Sequence, residues 1–490
     1  MKKYIFNALF LLLLTNVFSL YAESVNVSGL NETQFIDRDL GDKYKSYFYD
    51  KLSLQLQYSK LSAGLKYDYF HPKFDRFLDV DQAGNEENDN YFDDYFLQYE
   101  SDNLFVKGGY YEASIGSGMI LHNYYDKDFD NDTRLQGGYF QFTNDNITFQ
   151  TFGGIMDNDF DEDKNDFLGA VDFEYNLFSD LRLASAFVLD KINQEKDVTD
   201  NKTDKYFFRK IYSGRVSWSS EKFEFKSEYA KSQISDQINS KFKDGHALYA
   251  TGTFYIGKFT FLTSYKNYWN FNYKLSDLPT VNHSGEPIND SWESGKDEQG
   301  LMGELHFVPD DSHSFLVNYA EGWSKNYKIR QEDLYAEYSH DFESSTLKLI
   351  YADLEELSDV STNWIKETTP EIDYDFQIGN FPILIESFYE IVKHDNLSGE
   401  VTHYEPKIQT DIGYNNYSFS LTVENQYGDK TDKDDGKYWI GGEFTVSIDA
   451  IHSDVRLFAG KEKGGKVCRN GVCRYQSEFQ GVKLEINTTF

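Results

Sequence analysis

The last nine residues of the chain, 482–490, read VKLEINTTF, and this stretch gives the first indication of the fold. Apolar and polar side chains alternate along it, so that one face of an extended strand carries Val482, Leu484, Ile486 and Phe490. Such a strand presents one face to lipid and the other to a polar lumen, and pairing it with the first strand satisfies its backbone groups inside a bilayer. The stretch is typical of the closing strand of a transmembrane β-barrel, where it also acts as an assembly signal. The final strand of a soluble β-sandwich alternates in the same way, so the remaining sequence has to separate the two folds.

The first 22 residues have the features of a secretory signal peptide. Lys2 and Lys3 precede an apolar core, and Ala22 is a small residue suited to cleavage. The apolar core is too short for a transmembrane helix, which needs about 20 apolar residues. We therefore predict that residues 1–22 are a signal peptide and that residues 23–490 are exported.

Strand-like alternation recurs through the mature chain, with connections that are short and long in turn. A typical pair is 52–58 and 61–69, which Ser59 and Lys60 join in a tight turn. Short turns at one end and long polar loops at the other are the pattern of outer-membrane barrels, whose short turns are periplasmic. The sequence therefore predicts an all-β fold, a large antiparallel transmembrane β-barrel of about 24 strands, within a range of about 20–26. We expect residues 23–490 to form this one domain, with short periplasmic turns and long acidic extracellular loops.

The composition narrows the functional classes. The chain has 82 acidic and 48 basic residues and a formal net charge of -34, whereas phosphate binding needs a basic surface. Nucleic acid is therefore not an expected partner, and the acidity favours cations, basic peptides or soluble loops. The 41 Phe and 38 Tyr residues suit the outer face and the interfacial girdles of a barrel. We expect the chain in the bacterial cell outer membrane, with lipid and the barrel-assembly machinery as partners.

Two cysteines flank a predicted turn near the C-terminus. Between Cys468 and Cys473 lies Asn470-Gly471, the strongest signal for a two-residue type I′ turn. This turn places the cysteines opposite each other, and an exported protein meets an oxidising compartment. We predict a structural disulfide between them. A redox or metal-binding role is the weaker alternative, because the chain has no further cysteine and His452 is remote in sequence.

Alternating aspartates in two loops raise the question of a Ca²⁺ site. One loop spans 126–132, and the other carries Asp157, Asp159, Asp161 and Asp163. Neither fits an EF-hand, since the second loop has Glu162 where the turn needs Gly. We interpret both as solvated acidic loops, with a weak cation site in the second as the alternative. We expect no cofactor and no firmly bound metal.

A barrel of the predicted size needs a constriction. Barrels of about 16–18 strands leave an aqueous channel and those of about 22 strands are plugged, so about 24 strands without a plug domain leave a wide hole. The segments long enough to narrow it are 71–90, 113–134 and 271–296. We prefer the second, because its glycines permit a bend and its apolar side chains have no role in a solvated loop. The residues concerned are Ile115, Gly116, Gly118, Met119, Ile120 and Leu121. The alternative is that 113–134 extends a hairpin above the membrane.

Two segments resemble a family of uncharacterised bacterial outer-membrane β-barrel proteins. One is GGKVCRNGVCR, residues 464–474, together with the terminal Phe490. The other is YYEASIGSGMIL, residues 110–121. The resemblance implies a barrel fold and an outer-membrane location, and it implies no particular activity or substrate.

These observations lead to three functional hypotheses. The first is an outer-membrane channel or uptake component, and the second is a surface-exposed binding or assembly barrel without flow through the lumen. An outer-membrane enzyme comes third, because the ten histidines are scattered and Ser117 does not lie in a G-x-S-x-G nucleophile elbow. We therefore predict no catalytic residues.

Overall fold

The computed structural model describes most of the chain. The described residues are 25–39, 46–71, 89–126, 131–157, 165–193, 206–234, 244–271, 277–286, 288, 297–325, 329–358, 363–396, 399–429, 437–469, 472–476 and 478–490. The predicted signal peptide, residues 1–22, lies outside them.

The described residues form one 24-stranded antiparallel sheet and three two-stranded hairpins. The strands of the large sheet are β1 (Val25–Arg38), β2 (Ser46–Tyr58), β3 (Leu61–His71), β4 (Asp89–Glu100), β5 (Leu104–Tyr111), β10 (Leu135–Thr143), β11 (Ile147–Asp157), β12 (Asn165–Phe178), β13 (Leu181–Asn193), β14 (Tyr206–Ser219), β15 (Phe223–Ile234), β16 (Gly245–Ile256), β17 (Phe259–Trp269), β18 (Asp297–Asp310), β19 (His313–Trp323), β20 (Arg330–Asp341), β21 (Ser345–Ser358), β22 (Asn363–Ile378), β23 (Phe381–Asn396), β24 (Gly399–Tyr414), β25 (Tyr417–Gly428), β26 (Lys437–Ile448), β27 (Ser453–Glu462) and β30 (Phe479–Thr489). The hairpins pair β6 (Ala113–Ile115) with β7 (Leu121–Asn123), β8 (Tyr125–Asp126) with β9 (Asn131–Asp132), and β28 (Gly465–Arg469) with β29 (Val472–Gln476). A single 3-10 turn, Asp449–Ile451, precedes β27.

The large sheet closes into a barrel through its first and last strands. β30 pairs with β27 on one side and with β1 on the other, in a register that runs from Leu30 opposite Thr489 to Arg38 opposite Gly481. Gly29 and Phe490 extend the seam, because each donates a backbone hydrogen bond to the other, at 2.8 and 3.1 Å. Closure leaves no edge strand in the described 24-stranded sheet, as a bilayer requires. The predicted fold class, an antiparallel barrel of about 24 strands, is confirmed.

Alternate residues of each strand face outward and inward, and most of the outward side chains are apolar. In β12, Phe167 and Phe173 point outward and are 49% and 41% exposed, whereas Leu168 and Asp172 point inward and are 0% and 1% exposed. Val482 of β30 and Phe490, which follows that strand, are exposed like the outward residues of β12. An apolar outer surface around a closed antiparallel barrel is the architecture of bacterial outer-membrane proteins. The buried core of this molecule therefore lies inside the barrel.

Successive strands are joined alternately by short turns and by longer connections. Ser59-Lys60 between β2 and β3 is a short turn, and Val25 lies beside it because it pairs with Tyr58. We call this end of the barrel the turn end and the opposite one the loop end. Within the described ranges, no helix has the length and apolar character needed to cross a membrane.

Candidate functional site: an inner layer in the barrel lumen

A short hairpin at the loop end folds into the lumen. It consists of β6, a turn and β7, and continues to residue 126; we call residues 113–126 the first inner segment. Asn123 is fully buried and ties the hairpin together, since its Oδ1 accepts from the Ala113 amide at 2.8 Å and its Nδ2 donates to the Tyr111 carbonyl at 3.0 Å. Gly116 and Gly118 make the turn at φ values of +61° and +85°, which side chains with a Cβ rarely adopt.

The apolar side chains of the first inner segment pack against the inward face of the wall. Ile115, Met119, Ile120 and Leu121 are all 0% exposed. Their cluster contains inward residues of the eight consecutive wall strands β10 to β17. Its buried wall members include Leu135, Phe152, Leu168, Val188, Ile211, Ala230, Ala247 and Tyr268. Full burial of such side chains stabilises the docked hairpin by about 1.5–3 kcal/mol each before the cost of ordering the chain. The segment is thus held on the wall by its own hydrophobic contacts.

A buried carboxylate holds the tip of the same hairpin. Glu228 of β15 accepts hydrogen bonds from the Ser117 amide at 3.0 Å and from the Ser117 hydroxyl at 2.7 Å. Beside it, Arg215 of β14 forms an ion pair with Asp172 at 2.6 Å. A Cβ at Gly116 would lie 2.5 Å from Arg215 Cδ and 2.6 Å from Glu228 Oε2, so the hairpin turn can approach these charges only as glycine.

A second stretch, residues 277–286 with Ile288, covers the adjoining part of the wall; we call it the second inner segment. Wall side chains donate to its backbone carbonyls: Ser264 to Val281 at 2.6 Å and Lys266 to Ile288 at 2.9 Å. Tyr268 donates to the carbonyl of Pro279 in the same way, at 2.8 Å. These bonds satisfy polar groups that a chain without regular secondary structure would otherwise bury unpaired.

The second inner segment also has side-chain anchors of its own. Val281 and Ile288 are fully buried against Met302 and Ala320. Asn282 Nδ2 donates to Asp333 of β20 at 2.7 Å. The Ser284 hydroxyl donates a hydrogen bond to the Glu304 carboxylate of β18 at 2.6 Å. The segment is therefore fixed to the wall as far round as β20.

The two inner segments touch each other and form one layer. The Asp277 amide donates to the Gly118 carbonyl at 3.3 Å, and His122 Nδ1 lies 3.2 Å from Asp277 Oδ2. We call the two segments together the inner layer. It lines the wall from Gln150 of β11, whose Nε2 donates to the Ser114 carbonyl at 3.3 Å, to Asp333 of β20. A layer of chain inside a barrel reduces the cross-section of its lumen.

The structure places two groups of the sequence-predicted residues within the barrel, one in the inner layer and one at the seam. The six residues predicted to constrict the lumen, Ile115, Gly116, Gly118, Met119, Ile120 and Leu121, lie together in the inner layer, and their effect on flow stays a prediction. Val482, Leu484, Ile486 and Phe490 lie on the seam strand or at its end, and their role in assembly stays a prediction.

Two predicted sites fall on or beyond the limits of the described side chains. The backbone register of β28 and β29 pairs Cys468 with Cys473, while their side chains lie outside the described ones, so the disulfide stays a prediction. Asp157 ends β11, and Asp159, Asp161 and Asp163 lie outside the described residues. In the part of the chain that is described, no group of three or more His, Cys, Asp or Glu side chains is arranged to hold a metal ion.

Sequence reasoning missed the charged wall residues that hold the layer or lie beneath it. Glu228, Arg215 and Lys266 each occupy a polar position in an alternating strand, as lumen-facing residues generally do. Nothing in the local sequence distinguishes a carboxylate under a packed hairpin from one in water. The 271–296 segment is long enough to narrow the lumen, but its sequence lacks the compact apolar run that distinguishes 113–134.

Comparisons with solved structures give likenesses to outer-membrane barrels. A chain of the E. coli P pilus tip assembly intermediate PapC-PapD-PapK-PapG matches with a TM-score of 0.57 at 6% identity, over 96% of this chain and 61% of that one. The P pilus usher (PapC) translocation pore matches with a TM-score of 0.45 at 8% identity, over 95% of this chain and 99% of that one. The outer membrane transporter YddB from Escherichia coli matches with a TM-score of 0.44 at 9% identity, over 95% and 80%.

The first of these likenesses bears on the fold alone, because its identity is so low. This chain spans about three fifths of the pilus-assembly chain it matches, 61% of its length. No match was found among curated proteins. The model of one protein family matches residues 1–290, which include the segment 110–121 but not the segment 464–474 or Phe490. Since this match covers more than half of the 490 residues, the chain belongs to that family, the family of unknown function DUF6029.

Proposed function

We propose that this chain is an outer-membrane channel or uptake component whose conducting path is narrowed by the inner layer. The observation that carries the proposal is the layer itself: two segments packed on the inward face of a 24-stranded barrel. A barrel that only anchored a surface domain would gain nothing from buried polar anchors such as Glu228 and Lys266 inside its lumen.

The size of the barrel supports the same proposal. Barrels of about 16–18 strands conduct water and solutes freely, and those of about 22 strands are plugged. A wide lumen with nothing in it would open the permeability barrier of the cell, whereas a lumen with a fixed layer along part of its wall leaves a limited path. The inner layer thus lies where a constriction element would lie, and the first inner segment belongs to the larger of its two buried clusters.

A replacement of the first inner segment tests this function. Residues 114–121 are exchanged for a Gly/Ser stretch of equal length, which removes the anchoring side chains and leaves the connection between β5 and β10 as long as before. We expect folded barrels of this variant to show a higher single-channel conductance in planar bilayers, and cells carrying it to become more sensitive to large antibiotics. Heat-modifiable migration in gels verifies the fold of the variant. Equal conductance and equal sensitivity would contradict the proposed constriction.

The second candidate function is a binding or assembly barrel without solute flow. It is favoured by the likeness to a chain of the pilus tip assembly intermediate, which carries the highest TM-score of those given above. One measurement separates the two candidates. The purified barrel passes ionic current in a planar bilayer if it is a channel, and it passes none if it is a binding or assembly barrel. An enzymatic role remains the third hypothesis.

A further inference from the structure

A row of carboxylates faces the lumen from the wall beyond the inner layer. The outward residues of these strands, such as Ile372 and Tyr374, are exposed to lipid, so their neighbours in sequence point inward. The inward positions of β20, β22, β23 and β24 carry what we call the acidic wall: Glu337, Glu371, Asp373, Glu386, Glu390 and Glu405.

The acidic wall places like charges next to one another. Asp373 lies directly opposite Glu386 in the register of β22 and β23, and Glu390 lies directly opposite Glu405 in that of β23 and β24. Like charges at opposed positions destabilise a sheet. The arrangement therefore works against the stability of this part of the wall.

The lysines at inward positions of the described strands β20 to β24 are Lys348 and Lys407, and they offset only part of this charge. Lys348 is close enough to Asp373 and Glu371 to interact with both. Lys463, in the connection after β27, contacts Glu405 and lies 3.3 Å from Glu424. Burial lowers the pKa of Lys463, but the hydrogen bond and charge of Glu405 outweigh it and hold that pKa above its ordinary value, so the lysine stays charged.

Unsatisfied polar atoms form a second, independent observation at the same wall. His403 is 4% exposed, and its Nε2 contacts Glu405 at 3.1 Å while its Nδ1 has no hydrogen-bond partner among the described residues. Asp373 Oδ1 is also buried and lacks a hydrogen-bond partner within the described ranges. Buried polar atoms take water or an ion where protein provides no partner. The acidic wall therefore faces a hydrated space that can hold cations.

The inner layer brings another carboxylate towards this wall. Glu286 of the second inner segment is near enough to Asp333 and Glu367 for their charges to interact. Acidic groups thus approach the remaining path from the layer and from the wall. Rings of carboxylates are the means by which channels favour cations, and a cleft lined by one sign of charge concentrates counter-ions.

We infer that the path left open by the inner layer is selective for cations, so that the solutes it passes are inorganic cations or small organic amines. This inference rests on the proposed channel function. At low ionic strength the permeability ratio of K⁺ over Cl⁻ should be roughly tenfold or more, the lower end of counter-ion enrichment in such clefts. The ratio should fall towards about one near 1 M salt, where the Debye length is about 3 Å.

Reversal potentials of the full barrel in planar bilayers under a KCl gradient test the inference. The test variant combines Glu371→Gln, Asp373→Asn and Glu386→Gln, and we expect it to lower the K⁺ to Cl⁻ ratio severalfold.

A matched control removes three carboxylates from the outer face of the barrel. It combines Glu321→Gln, Glu332→Gln and Asp353→Asn, whose register partners include the lipid-exposed Leu301 and Leu334. We expect the control to keep the selectivity of the wild type, because these positions do not face the lumen. Heat-modifiable migration confirms that both variants are folded.

The outcomes separate this inference from the proposed function. Conductance with a K⁺ to Cl⁻ ratio at or below about one at low salt, where screening is weak, overturns the inference and leaves the channel intact. A cation-selective wild type with an unchanged test variant overturns the assignment to the acidic wall. A folded barrel that passes no current in bilayers and no K⁺ into liposomes overturns the channel function and the inference with it.

Discussion

Truncation of Ile120 to alanine should loosen the inner layer without damaging the barrel. Ile120 is 0% exposed and belongs to the first inner segment, so its contacts are lost when that segment leaves the wall. An Ile→Ala change at a fully buried site costs about 2–5 kcal/mol. Because no strand pairing of the barrel involves Ile120, this cost falls on docking of the segment. At about 1.4 kcal/mol per factor of ten, the equilibrium between docked and undocked states shifts by roughly 30-fold to 4,000-fold.

Single-channel recording measures this shift directly. We expect the Ile120→Ala barrel to spend more time at a higher conductance level than the wild type. The double variant with Ile115→Ala should do so further, with some coupling because both side chains belong to one cluster. The matched control is Leu301→Ala, which removes an apolar side chain that is 51% exposed on the lipid face, and its recordings should match the wild type. Identical conductance levels and dwell times for the wild type and the folded double variant would refute the reasoning, since the segment would then not limit flow.

Three further predictions follow from other contacts. Lys266→Met removes one partner of the buried pair with Glu298, which lies 3.3 Å away, and should cost about 3–5 kcal/mol, seen as faster proteolysis within 277–288; an unchanged cleavage rate would count against this anchor. Mass spectrometry without reductant should find Cys468 linked to Cys473, with a stabilisation below the about 3 kcal/mol of a 15-residue loop, and two free thiols would disprove the link. Deletion of Phe490 should lower the yield of barrel in the outer membrane, because it removes the end of the seam with β1, and an equal yield would contradict an assembly signal.

The alternation of apolar and polar residues along the sequence determined the architecture of this protein. Alternation along 482–490 and its recurrence from Val25 onward indicate which side chains face lipid, because successive residues of a strand point to opposite faces whatever lies beyond. The bilayer then requires closure, since it offers backbone groups no other partner. The alternation and the need for closure together account for the strands, for the seam between the first and last of them, and for tight turns such as Ser59-Lys60.

The apolar run within 113–134 was visible in the sequence for the same reason. Ile115, Met119, Ile120 and Leu121 crowd four large apolar side chains into a loop, where solvent would penalise them. The sequence could therefore predict that this segment folds inward, and its side chains are buried in the lumen.

Only the tertiary structure decided what the segment meets there. Ser117 and Glu228 are 111 positions apart, and they come together because the wall curves round the lumen to bring β15 under the hairpin. The same curvature puts the second inner segment on Lys266 and turns carboxylates of separate strands into the acidic wall. Alternation along a strand assigns each of these residues to the inward face. It does not show which of them are covered by protein and which face water, because that depends on where remote segments of the chain cross the lumen.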